Sequence, residues 1–314
     1  MKNMSCDPNK EWLVIVNPNA GKRKGGKDWE EISRLLSESG IKFTCFFTEK
    51  KLHATHLTVQ NIEQGYKNII VVSGDGTLNE VVNGVFTQNK YPTEEIALGM
   101  ITVGTGNDWG RMYNIPRNYK EAISILKTCK TVKQDIGVIQ YYSSGKQERR
   151  YFINIAGLGF DAKVVEKTNR QKENGRSGVL IYLINILTTL FKYKDVKAEI
   201  IIDGNKIEDE IFTISLGIGK YAGGGMMLTP NAIPDNGSFD LTVIKKMKKI
   251  EIIRSLPKLY NGTILKHPRV ESFTGRNILI NADPVAYLQA DGESLGHTRV
   301  EFEILPRSLN VITN

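Results

Sequence analysis

Ile69-Ile-Val-Val-Ser-Gly-Asp-Gly-Thr-Leu-Asn-Glu-Val-Val-Asn-Gly84 passes from a run of β-branched residues into a helical repeat with only Gly74-Asp75-Gly76 between them. Four β-branched residues in succession predict a strand buried on both faces, as in a parallel sheet, and the glycines around the aspartate end it. Leu78, Val81, Val82 and Val85 then recur at helical spacing, so the chain turns from strand to helix at Thr77. Such a junction presents free backbone N–H groups and the positive end of a helix dipole, and Gly74 and Gly76 let a bulky anion come close to the backbone. It reads as a phosphate cradle. A carboxylate at Asp75, expected as an exposed turn residue, would repel a bare phosphate unless a divalent cation or a transferable proton lies between them. That combination points to nucleotide chemistry with Mg²⁺. The same residues also fit a strand, turn and helix in which Gly-Asp-Gly serves only the turn.

Upstream, Trp12–Val16 predicts a first buried strand, with Asn17-Pro-Asn-Ala-Gly21 a tight turn at its carboxyl end. Lys22, Arg23, Lys24 and Lys27 crowd the following positions beside Gly25 and Gly26. A glycine-rich cationic loop after the first strand of an α/β sheet lies where ligands bind, although a solvated basic loop has the same composition. A helix through Trp29, Ile32, Leu35 and Leu36, a strand over Ile41–Phe47 ending at Thr48, and a helix from about Leu52 to Gln64 complete the alternation that predicts a doubly wound sheet. Downstream, Ile96–Ile101 is the next strand, followed by Gly104-Thr-Gly-Asn-Asp108, a second Gly-x-Gly turn with an aspartate close by. Helical spacing resumes over Tyr119–Leu126, and Thr131–Ile139 predicts a strand that carries Asp135. A charge inside a strand is costly unless paired or linked to a metal, so Asp75, Asp108 and Asp135 are candidates for one cluster.

Beyond residue 136 the pattern becomes β-rich: Arg150–Ala156, Val196–Ile202, Glu210–Ile218, Phe239–Ile244, Arg276–Ala282 and Val300–Leu305. Short strands separated by turns such as Asp203-Gly204 and Asn236-Gly237 predict a sandwich or flattened barrel. Two helical insertions interrupt it, one over Gly159–Asn169 with Gly178–Phe191, the other over Ile250–Leu259 behind Lys245, Lys246, Lys248 and Lys249.

With 314 residues and 40% hydrophobic content the chain has room for two folded domains. Its net charge of +8 favours anionic partners, namely nucleotides, an acidic membrane surface or nucleic acid. No Arg/Lys stripe is interleaved with aromatics, which argues against nucleic acid. Cys6, Cys45 and Cys129 are odd in number and widely spaced, which predicts neither disulfide nor zinc site and suggests a reducing cytoplasm. The polar first ten residues do not read as a signal peptide, and the apolar run from Gly178 to Phe191 falls short of the ~20 residues that a membrane span needs.

Asn17-Pro-Asn-Ala-Gly21, Ser73-Gly-Asp-Gly-Thr-Leu-Asn-Glu80, Gly104-Thr-Gly-Asn-Asp108 and Asp291-Gly-Glu293, in this order, resemble the diacylglycerol kinase catalytic family, most of all its soluble bacterial lipid kinases, and more distantly sphingosine and ceramide kinases. The resemblance implies an N-terminal α/β nucleotide-binding domain like that of phosphofructokinases and NAD kinases over residues 1–135. It implies an all-β, sandwich-like lipid-substrate domain over 136–305, a return of 306–314 to the first domain, and a cleft between the two. By motif position, Asn17, Pro18, Asn19, Ala20, Gly21, Thr48, Gly74, Asp75, Gly76, Thr77, Leu78, Asn79, Glu80 and Thr105 would contact ATP. Asp75, Asp108 and Asp135 would hold Mg²⁺ through water, and Asp75 joins the catalytic set. Asp291 and Glu293 would supply the base that takes the lipid hydroxyl proton, Asp291 being preferred because it ends a strand. A structural metal would map to Ile233, Asn236 and Ser238, where many relatives carry Asp-Gly in place of Asn236-Gly237. Ser73 also departs from the glycine usual in bacterial members.

The activity implied is ATP-dependent phosphorylation of diacylglycerol or a similar lipid, a step of phospholipid biosynthesis. It would take place in the cytoplasm, with peripheral contact at the inner membrane surface and room for a homodimer. A kinase of a soluble hydroxyl such as NAD and a non-catalytic nucleotide- or lipid-binding protein stand as alternatives.

Overall fold

A computed structural model describes residues 6–173 and 179–314. The start of the apolar run at Gly178 and the first five of the polar N-terminal residues lie outside the described residues. The chain divides into two compact units, residues 1–135 with Arg307–Asn314, and Ile136–Pro306.

In the first unit, strands β1 (Trp12–Val16), β2 (Phe43–Phe47), β3 (Asn68–Ser73) and β4 (Ala97–Thr102) pair in parallel in the order β4-β3-β1-β2. β1, β3 and β4 are buried along their whole length, as runs of β-branched residues require, whereas β2 is half-exposed at the edge. Helices α1 (Ala20–Lys27), α2 (Trp29–Glu38), α3 (His53–Gln64), α4 (Asp75–Thr87), α5 (Asp108–Met112) and α6 (Tyr119–Thr128) connect them. Trp12, Val14 and Val16 share a core with Ile32 and Leu36 of α2 and Ile123 and Leu126 of α6.

The second unit begins within β5 (Thr131–Ser143), which forms a hairpin with β6 (Lys146–Phe152). β7 (Ile155–Gly159), helices α7 (Phe160–Glu173) and α8 (Val179–Lys192), β8 (Val196–Ile202), β9 (Asn205–Gly217), and the two-residue pair β10 (Tyr221–Ala222) and β11 (Met226–Met227) follow. β12 (Phe239–Lys245), helix α9 (Lys249–Tyr260), β13 (Val270–Gly275), β14 (Asn277–Asp283), β15 (Tyr287–Ala290) and β16 (Glu293–Ile312) complete the chain. β13, β12, β9, β7 and β15 form one antiparallel layer. β9 changes layers: its first half pairs with β8, which pairs with β14. Ile214, Leu216, Leu241, Val243 and Leu288 from the first layer meet Ile200, Ile278, Ile280, Val300 and Phe302, and Phe152 stacks on Phe239 with centroids 5.6 Å apart.

The structure corrects the sequence in three places. Arg150–Ala156 is two strands, broken at Ile153 and Asn154, whose N–H groups bond to the Asp291 carboxylate instead of a neighbouring strand. Val300–Leu305 is the middle of the long β16, whose Asn310 and Val311 pair in parallel with β4. Cys6 and Cys129 form a disulfide with Cα atoms 5.3 Å apart, which spacing alone did not show because the partners are 123 residues apart and meet only when the segment before β1 packs beside the end of α6. The inference of a reducing compartment from unpaired cysteines therefore loses its premise.

On β12, Asp240 is 5% exposed and its Oδ1 has no hydrogen-bond partner among the described residues. Burial raises its pKa to about 6. The folded chain therefore holds this proton more tightly than the unfolded one. That contribution is complete below about pH 4 and is lost as pH rises through about 6, worth roughly 2–3 kcal/mol. Urea unfolding at stepped pH should show that Asp240→Asn gains stability over the wild type between pH 4 and 7; parallel curves would contradict this.

Candidate active site

Three loops at the carboxyl ends of β1, β3 and β4 are drawn together by backbone contacts that only glycine permits. A Cβ on Gly104 would lie 2.6 Å from Gly74 Cα, and one on Gly21 would lie 1.8 Å from Val103 O. After β1 the first residues of α1 are kinked into a left-handed stretch at Gly21, Lys22 and Arg23, a conformation that costs energy in the two side-chain-bearing residues. Side chains complete the join: Asn17 Nδ2 donates to Thr77 Oγ1 at 2.9 Å, and Ser73 Oγ donates to the same oxygen at 2.7 Å. The serine that replaces the usual glycine is thus part of the junction.

Asp75 opens α4, and its carboxylate is not the exposed turn group expected from sequence. Its Oδ2 accepts from Asp108 N at 3.1 Å and its Oδ1 from Trp109 N at 3.0 Å, so it caps α5. Burial raises its pKa, opposed by the N–H groups of Trp109, Asp108, Asp75 and Asn107. A Cβ on Gly106 would stand 3.1 Å from Asp108 Oδ2 and 3.2 Å from Asp75 Oδ2, so the two carboxylates converge on the space that Gly106 leaves open. Asp135 is fully buried, and its Oδ1 accepts from Arg307 N at 2.6 Å, pinning the returning C-terminal segment. Among the described residues no three of His, Cys, Asp or Glu are grouped to hold a metal ion directly.

The other predicted nucleotide contacts divide by exposure. Thr105 is exposed on the loop after β4; Thr48, Leu78 and Asn79 are buried, and Leu78 packs in the core. Glu80 caps α3 through Leu52 N at 2.9 Å and Ala54 N at 3.1 Å. Pro18 and Asn19 lie in the turn that leads into α1, where Asn19 N bonds to Asn17 Oδ1 at 3.0 Å, and Ala20 is the first residue of α1.

In the second unit, Asp291 sits in the left-handed region at φ 48 and its carboxylate is clamped by three backbone donors. Ile153 N reaches Oδ2 at 2.8 Å, and Asn154 N and Ile155 N each reach Oδ1 at 3.0 Å. About four acceptor positions exist on a carboxylate, so a proton arriving there competes with three N–H groups. Glu293 follows at the start of β16. Asn236 Oδ1 accepts from Ser238 N at 2.9 Å in a tight turn, and Ile233 is 51% exposed.

Sequence reasoning missed the residues that brace this second turn. Gln289 Oε1 accepts from Gly292 N at 3.1 Å while its Nε2 donates to Asp161 Oδ2 at 3.2 Å, and Asn169 Nδ2 donates to Gly292 O at 3.0 Å. Asp161 lies in the first turn of α7, in space left by Gly157, and burial raises its pKa to about 6. Thr213 Oγ1 is 2.9 Å from Leu158 O and 3.0 Å from Asp161 Oδ1. One hydroxyl proton serves only one of these, so a protonated Asp161 satisfies both. The signal was available: Gly157-Leu-Gly-Phe-Asp161 repeats the Gly-x-Gly and nearby Asp pattern of the two earlier turns.

The chain is similar to known proteins over almost its whole length. A family model of the diacylglycerol kinase catalytic domain matches residues 11–139, and one of the YegS C-terminal NAD kinase beta sandwich-like domain matches 154–313. A diacylglycerol kinase of Staphylococcus carnosus (strain TM300) is 30% identical over 300 residues, covering 96% of this chain and 94% of that one. One of Staphylococcus aureus (strain MRSA252) is 31% identical over 298 residues, covering 95% and 90%. Among solved structures, a diacylglycerol kinase from Bacillus anthracis str. Sterne matches with a TM-score of 0.71 at 23% identity over 97% of both chains. Yeast NADH kinase complexed with NADH matches with 0.54 at 12% identity, covering 98% and 84%. At these identities the structural likeness is one of fold.

Because Asp291 satisfies three buried N–H groups, Asp291→Ala should cost about 2–4 kcal/mol of stability. Urea unfolding measures it, and a loss below about 1 kcal/mol would show that the clamp is dispensable.

Proposed function

The chain belongs to the diacylglycerol kinase family and is a lipid kinase, and from that premise we propose that it transfers the γ-phosphoryl group of ATP to the hydroxyl of diacylglycerol or a similar lipid. The observation that carries this reading is the convergence of Asp75 and Asp108 beside Gly106, at the N-terminus of the thirteen-residue α4. The first N–H groups of α4 would hold phosphate oxygens, and the loop of Asn17–Gly21 closes over the same junction through Thr77. Positioning and charge neutralisation are the main demands of phosphoryl transfer, and a rigid glycine-packed junction meets the first.

The residues present fit a divalent cation. Two carboxylates that share a buried space repel each other, and the donor set is all oxygen, as Mg²⁺ prefers. Asp75 and Asp108 would hold it through water, with Asp135 the third carboxylate of the proposed set; bound there, Mg²⁺ would offset negative charge on the phosphates. A second metal would fall to Asn236 Oδ1, which accepts from Ser238 N and keeps one lone pair, and to the backbone carbonyls of Ile233 and Ser238; a neutral amide there is a poorer Mg²⁺ ligand than the carboxylate that many relatives carry.

For the proton of the lipid hydroxyl, the three N–H bonds on Asp291 favour Glu293 as base, with Asp291 holding the turn that presents it. Asp161, Gln289 and Asn169 are positioning residues for that turn. Because the acceptor is a lipid, the working protein meets a membrane surface.

Thin-layer detection of ³²P transferred from ATP to a lipid panel, with NAD included, should give a labelled lipid and no labelled NAD. Glu293→Gln should lower kcat by ~10²–10⁴ with ATP affinity nearly unchanged. If Glu293→Gln is active while Asp291→Asn is folded and inactive, the base is Asp291; label in NAD alone would replace the lipid reading.

A further inference from the structure

One half of α8 is core and the other half is bare. Ile186 and Leu190 are buried against Phe160, Val164, Phe212, Met226 and Ile252. About 110° round the helix from them, Leu180, Ile184, Leu187 and Phe191 are 70, 50, 39 and 62% exposed. At 3.6 residues per turn these four fall within an arc of about 60°, a single stripe roughly 16 Å long. The start of α9 lies near the end of the stripe, where Lys249 Nζ donates to Phe191 O, and the next residue, Ile250, is 54% exposed. Monomeric proteins seldom leave large apolar side chains contiguous in this way without a use for them.

The rim of the stripe is cationic. Lys167 Nζ bonds to Thr188 Oγ1 at 2.5 Å on the outward side of α8, and the Lys249 ammonium is 5.7 Å from the Phe191 ring centroid. Lys192, Lys194 and Lys248 are exposed around the same end, with Asp195 the half-buried acid among them. Leu, Ile and Phe in the middle with lysines at the edge is the composition of a helix that lies in a membrane interface. Fourteen residues make a helix of about 21 Å, too short for the ~30 Å of a bilayer's hydrocarbon, so α8 would lie on the surface rather than cross it. A second copy of the chain is a poorer occupant, since a two-fold contact would set one lysine rim against the other.

We propose that Leu180, Ile184, Leu187, Phe191 and Ile250 form the face by which this protein seats on an anionic phospholipid bilayer, with Lys167, Lys192, Lys248 and Lys249 on the headgroups. The inference deepens the lipid-kinase reading, in which the substrate arrives in a bilayer, but seating itself requires no turnover.

Flotation with vesicles of phosphatidylglycerol and phosphatidylcholine in equal parts, and with phosphatidylcholine alone, tests it on the full chain. The wild type should bind the anionic vesicles and release them as salt is raised. Ile184→Glu with Phe191→Glu should weaken binding at least ~10-fold. Lys192→Gln with Lys248→Gln should weaken it about fivefold per lysine on anionic vesicles only. All these side chains are exposed, so melting temperatures should match. Equal binding by the wild type and the double glutamate variant overturns the proposal, as does a solution dimer that the glutamates abolish without changing vesicle binding. A short-chain diacylglycerol presented without vesicles reads the kinase separately: wild type that binds vesicles but never phosphorylates it leaves the seating face standing and removes the activity.

Discussion

The backbone contact between Gly74 and Gly104 is the constraint on which the first unit's site depends. Two strand ends approach until no side chain fits between them, and this brings Asp75, inside the first glycine pair, and Asp108, just after the second, to one space beside Gly106. A Cβ at Gly104 would collide with Gly74, so the loops would have to shift, and the hydrogen bonds from Asp108 and Trp109 to Asp75 depend on their present closeness. The capping of α5 and the convergence of the carboxylates are therefore consequences of packing. The second loop contact, between Gly21 and Val103, closes the same corner from β1.

The second unit solves a similar problem with a carboxylate in place of a glycine contact. Asp291 takes up the N–H groups of Ile153, Asn154 and Ile155, where β6 gives way to β7, so the break in the sheet and the position of the Asp291-Gly-Glu293 turn are one feature. Gln289, Asp161 and Asn169 then tie the turn to α7. Buried carboxyl groups at Asp161 and Asp240 are both raised to about 6, so this unit holds protons in its interior that the unfolded chain would release at lower pH. The helical insertion on this unit has two faces with different partners, one the core of Phe160 and Phe212, the other left to whatever meets the exposed stripe.

The alternation of strands and helices, the change to a β-rich pattern near residue 136, and the order of the glycine-rich motifs were legible in the sequence by itself, because burial on both faces of a parallel strand and the 3.6-residue period of a helix leave local marks. So were Asp75 and Asp108 as candidates for one cluster with Asp135, since the first lies inside a strand-end Gly-x-Gly turn and the second comes just after one. Tertiary structure alone decided which polar groups are already engaged. Glu80 sits within a nucleotide motif yet caps α3, Asp135 is pinned to Arg307, and Asp291 is clamped by a segment 136 to 138 residues away. It alone decided that Cys6 meets Cys129 and that one face of α8 stays bare although the helix is apolar nearly all round. The physical reason is common to all of these: hydrogen-bond partners and solvent exposure depend on which distant segments pack together, and local composition carries no record of that.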